Sequence, residues 1–115
     1  MTFTEDLANQ SLILVHPIVI DLLQKDFEME GILNGGEISK AQEYTIKKLK
    51  RDLHYHMKEL ETIGCILRDR EIGEVAFPIN EYKLSRYFSW KFGEPAVSLV
   101  IREGETKVHI RPYAL

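Results

Sequence analysis

Residues 12–23 read LILVHPIVIDLL: nine of the twelve are aliphatic, and only His16 and Asp21 are polar. A helix this apolar around its circumference cannot rest on a surface with one face in water. Twelve residues span about 18 Å of helix, too short to cross a bilayer. The segment is therefore expected to be packed from several sides, by its own chain or by another.

Working outward, Thr4 reads as an N-cap, with Glu5 and Asp6 in the first turn, where the helix dipole favours negative charge. Leu7, Leu12, Val15, Val19, Leu22 and Phe27 set an apolar helical face. Pro17 removes a backbone donor inside it, which predicts a kink near His16 or a break and restart, with His16 bonded to a freed carbonyl. Gly31 to Gly36 reads as a loop. Ser39 with Gln42 forms a capping box that opens a second helix over about Lys40–Thr62, with Gly64 as its C′ residue. Its inward seam is Ile46, Leu49, Leu53, Met57 and Leu60, and a short connection makes the two helices antiparallel. His54 and His56 point away from each other and cannot share a metal on one helix.

After Gly64 the period changes to that of strands. Cys65–Arg68 is short, and Asp69 to Gly73 is a turn. In Glu74–Ile79, Val75, Phe77 and Ile79 alternate inward, and Pro78 marks an edge or a strand end. Leu84–Phe92 carries Tyr87, Phe88, Trp90 and Phe92, and Gly93-Glu94-Pro95 turns the chain. Ala96–Arg102 and Lys107–Arg111 pair through a turn at Glu103–Thr106, with Val97, Leu99 and Ile101 on one face and Val108 and Ile110 matching them. The expected fold is α+β: one domain, residues 1–115, with an antiparallel helical hairpin (1–63) packed on a small antiparallel meander of about four strands (64–115) whose far face is wet.

Composition agrees with one soluble globular domain: 115 residues, 44% hydrophobic, 29% charged, one cysteine. A single Cys65 excludes an intrachain disulfide and suits a reducing compartment. The acidic opening MTFTEDLANQ reads as neither a secretory signal nor a transit peptide, so a cytoplasmic location is expected. The net charge of −3 is unevenly placed: −6 over residues 1–37, +4 over 38–58, and near balance thereafter. The simpler account is an acidic helix beside a basic one. The sharper account is a basic patch for a polyanion.

Several of these pieces, in this order and spacing, resemble the domain-of-unknown-function family numbered 2203. Phe3-Thr4 with Ala8-Asn9 is similar to its opening, and the apolar helix with Pro17 follows. Gly64-Cys65, Asp69, Gly73 and Phe77-Pro78 resemble its central run; Trp90, Gly93-Glu94 and Arg111-Pro112 resemble its later motifs. The resemblance implies a shape and no reaction. It also shows two departures. Ala76 stands where the family usually has an acidic residue, and Val100-Ile101 where it usually has tryptophan–histidine. If those groups formed a site, this chain lacks half of it, which favours packing or binding over chemistry.

Three constellations follow. Asp69, Trp90 and Glu94 could line a pocket able to do acid–base work or hold a divalent ion; the simpler reading is that Asp69 caps a turn and Glu94 closes a hairpin. Lys47, Lys48, Lys50 and Arg51 on helix 2, with Lys107, His109 and Arg111 on the outward face of the last strand, could meet nucleic acid, with Tyr87, Trp90 and Tyr113 as stacking surfaces; the simpler reading is solubility. Leu12, Ile13, Leu14 and Ile20 form an apolar interface on the first helix. The sequence lacks a nucleophile–base set and a phosphate-cradling loop. It therefore predicts a cofactor-free, metal-free, non-enzymatic interaction or assembly module. That module would be a homodimer or the small subunit of a protein partner, associating through the first helix and away from membranes. The alternative is a nucleic-acid-associated accessory protein.

Overall fold

A computed structural model describes residues 2–80, 83–103 and 107–112, with side chains described throughout except at 80, 83–85, 102, 103 and 107–112. Two helices are followed by five strands: α1 (Glu5–Leu33), α2 (Lys40–Ile63), β1 (Ile66–Asp69), β2 (Glu74–Asn80), β3 (Lys83–Lys91), β4 (Ser98–Glu103) and β5 (Lys107–Pro112). The strands form one antiparallel meander in chain order. The short stretch after Gly64 thus joins the sheet as its first strand.

The helix ends follow their capping chemistry. Thr4 Oγ1 accepts from the Leu7 N–H at 3.2 Å. Ser39 and Gln42 form the reciprocal box, and Gly64 closes α2 at φ 106°, the left-handed region that glycine enters without strain. The end of α1 differs from expectation. The helix runs through Gly31 to Leu33, because Met29 and Ile32 still have core to pack against. It is also continuous through Pro17, so no break occurs there.

Its 29 residues, about 44 Å, make α1 long and apolar enough to cross a membrane, so length alone does not decide against it. Val15, Val19 and Leu22 lie within the protein's own core, while only 28% of the apolar 18-residue window of α1 is buried.

The core lies between the helices and one sheet face. Val75 pairs with Trp90, Phe77 with Phe88, and Phe88 with Leu99, which places these side chains on one side of the sheet, against the helices. Three links fasten α1 and its approach to the sheet. The Phe3 N–H donates to the Pro78 carbonyl at 2.8 Å. The Phe3 ring meets Phe77 edge to face at 5.1 Å. Asn9 Oδ1 accepts from the Val97 N–H at 2.9 Å. The opposite face is not simply wet. Ala76, Tyr87 and Val100 form a second buried cluster, and the Arg68 guanidinium lies 5.0 Å from the Tyr87 ring centre.

Candidate functional site

An open groove of about 770 Å³ lies between α1 and α2. Ile13, Leu14, Pro17 and Ile18 supply one wall, Tyr55 and Ile63 the other, and Asp21, His56, Glu59 and Thr62 give it a polar side. Lys25 meets His56 at one level, while Ile13 and Leu14 share the groove with Thr62 and Ile63 at another, so the helices run antiparallel.

A three-residue chain stands beside the groove. Lys25 Nζ lies 2.8 Å from His56 Nε2, and His56 Nδ1 lies 2.7 Å from Glu59 Oε1. The ammonium of Lys25 can only donate, so Nε2 accepts and Nδ1 carries the hydrogen that Glu59 receives. His56 is placed to tie the helices together. His56→Ala is expected to destabilise the fold by about 1–2 kcal/mol, since two partly buried bonds are lost, as read by urea unfolding.

The outward side of α1 carries a different feature. Ile13 and Phe27 are each 80% exposed and Leu14 60%. Ile13, Ile20 and Phe27 are seven residues apart, and Gln10, Pro17, Gln24 and Gly31 fall between and beyond them at alternating steps of three and four. These positions lie on the face of α1 that the core leaves partly or wholly exposed. Of the expected interface residues, Ile13 and Leu14 stand in the open, Ile20 is half-buried on the same side, and Leu12 turns toward the core. Phe27 departs from expectation. A step of five from Leu22 rotates it about 140° away from the buried face.

His16 also departs from its expected role. Its ring stacks on Phe92 at 5.5 Å and meets Trp90 edge-on at 5.8 Å, with no hydrogen bond to a freed carbonyl among the described residues.

Asp69, Trp90 and Glu94 do not form a pocket. Asp69 Oδ1 accepts from the Glu71 N–H at 2.9 Å, closing the β1–β2 turn. Glu94 Oε1 accepts from the Lys91 N–H at 2.7 Å, and its carbonyl accepts from Trp90 Nε1 at 2.8 Å, closing the β3–β4 turn. Trp90 is buried, so its ring is a core element rather than a platform. No group of three or more histidine, cysteine, aspartate or glutamate side chains suited to a metal occurs among the described residues.

Lys47, Lys48, Lys50 and Arg51 are exposed on α2. Lys107, His109 and Arg111 lie on β5, at the far sheet edge from β1, four strand spacings or about 19 Å away. The register sets His109 opposite Ile101 and Arg111 opposite Leu99, and the outward orientation expected for Lys107, His109 and Arg111 falls on side chains outside the described ones. Tyr87 is buried and offers no stacking surface. Tyr113 and the turn residues Gly104, Glu105 and Thr106 lie outside the described residues.

Sequence reading missed the Lys25–His56–Glu59 chain. His56 and Glu59 were visible as an i, i+3 pair, but Lys25 joins them only through the pairing register of the two helices, which no local pattern encodes.

The family model described as "Uncharacterized conserved protein (DUF2203)" matches residues 1–105. No curated protein and no solved structure matches the chain.

Proposed function

We propose that this chain, which belongs to the DUF2203 family, is a non-enzymatic association module that pairs with a second copy of itself through the outward face of α1. One observation carries the reading: Ile13 and Phe27, two large apolar side chains on one helix face, are four-fifths exposed. With Leu14 and Ile20 they make a contiguous apolar strip of the kind that marks a protein contact. The single buried thiol, Cys65, suits a cytoplasmic setting.

Light scattering at 100 μM, roughly the concentration a weak dimer needs, is expected to give about twice 13.4 kDa for the unaltered protein. Ile13→Glu should give the monomer mass with unchanged thermal stability, because the side chain contributes little to its own fold. A monodisperse 13.4 kDa species for the unaltered chain would overturn the reading.

A further inference from the structure

We infer that the outward ridge of α2 binds single-stranded nucleic acid, with Lys47, Lys48 and Arg51 on the phosphates and the Tyr44 and Tyr55 rings stacked on bases. This surface is separate from the α1 face of the association reading above.

The core sets the ridge apart. Leu49 and Leu53 are buried, and Arg51, two positions from each, is turned about 160° round the helix from both and is exposed. Tyr44 stands seven residues before Arg51 and Tyr55 four after it. Both rings therefore lie within about 40° of Arg51, about 16 Å apart along the helix. They are 71% and 66% exposed. Lys40, Lys47 and Lys48 are exposed within about 60° of the same line. Glu43 and Asp52 are turned about 80–100° away from it. None of these four cations has a carboxylate partner among the described residues, whereas Lys58 is paired with Glu61 and Arg70 with Asp26.

Lysines alone account for solubility, and tyrosine is a weaker helix former than the lysine or glutamate that would serve as well in water. Unpaired cations interleaved with exposed rings match a polyanion whose bases are free to stack. Bases in a duplex hide their faces in the stack, so the rings select a single strand. A lipid surface takes an amphipathic helix by its apolar face, and that face of α2 is packed in the core. The −6 balance of residues 1–37 repels a polyanion from α1 and directs it to α2. Tyr87 and Trp90, the stacking surfaces expected from the sequence, are buried, and Tyr44 and Tyr55 take that part.

The test uses the full chain and a fluorescein-labelled single-stranded RNA of about 12 nucleotides, read by fluorescence anisotropy from about 50 mM salt upward. The unaltered protein is expected to bind with a log–log salt slope of about −2 to −3, as for three or four phosphates neutralised on a single strand. Tyr44→Ala with Tyr55→Ala should weaken binding at least tenfold and leave the slope unchanged, while Tyr44→Phe with Tyr55→Phe retains binding. Lys47→Gln with Arg51→Gln should shrink the slope by about 1.4. Unchanged circular dichroism checks the fold of each variant. No binding at 100 μM protein would overturn the inference. Equal competition by heparin or by a duplex of the same sequence would also overturn it, as would undiminished binding by the tyrosine-to-alanine pair, because each would show a charged surface that does not engage bases. Tighter binding to vesicles containing phosphatidylserine than to the RNA would assign the ridge to a membrane and overturn it too. Light scattering reads association through α1 separately from all of these outcomes.

Discussion

Trp90→Ala is expected to cost about 4 kcal/mol, within the usual range for emptying a buried aromatic site. A domain of this length has about 6–17 kcal/mol in total, so the variant loses a quarter or more of its stability. The reason lies in how many things the ring does. Trp90 is 2% exposed and pairs with Val75 across the β2–β3 ladder. It meets His16 of α1 edge-on, and its indole N–H donates to the Glu94 carbonyl. Truncation opens a cavity between sheet and helix and leaves that carbonyl without its partner. Trp90→Phe keeps a ring and removes the donor, so it should cost about 1–2 kcal/mol. Trp90 is the chain's one tryptophan, so unfolding must be followed by circular dichroism. Equal losses for the two variants would show that the indole hydrogen bond, and not ring volume, holds this junction.

Gly73→Ala should be nearly as damaging, at about 2–4 kcal/mol. Gly73 has φ +65°, where a Cβ brings about 1–2 kcal/mol of backbone strain. The new methyl would also stand 3.0 Å from Val19 Cγ1, 3.1 Å from Phe92 Cβ and 3.2 Å from Leu23 Cδ1, which adds an overpacking cost of about 1–2 kcal/mol. Gly73 thus packs tightly against Val19 and Leu23 of α1, and its carbonyl accepts from the Phe92 N–H at 3.2 Å to join the β1–β2 and β3–β4 turns. Gly93 is the natural comparison. It has φ +97° with nothing within 4 Å of an added Cβ, so Gly93→Ala measures strain alone. Urea midpoints for the two variants that coincide would refute the crowding.

The helices were legible because their ends are written in local chemistry. Ser39, Gln42 and Gly64 fix α2 within a residue, and Thr4 fixes the start of α1. The end of α1 was harder. Gly31 looks like a breaker, and only the core contacts of Met29 and Ile32, which are tertiary, carry the helix past it. The meander was legible from strand alternation, although the register of its pairings is not something side-chain period encodes. The apolar excess of the first helix was legible from composition. Its partition between core and surface was not, since Leu22 and Phe27 look equivalent until helix rotation separates them. The groove and its Lys25–His56–Glu59 chain depend on the mutual register of two helices, which a single sequence does not spell out.

The bond from Val97 to Asn9 spans 88 positions, and Phe77, Trp90 and Val97 all close over a helix that the ribosome makes first. At 5–20 residues per second, about 4–15 s pass between the emergence of Leu23 and that of Val97. For the first part of that interval, until β1 to β3 have emerged, Val15, Val19 and Leu22 have no sheet to cover them. A chain cut short before β2 would therefore expose its most apolar segment, and one that lacks Val97 would lose the bond that fastens Asn9 to the sheet.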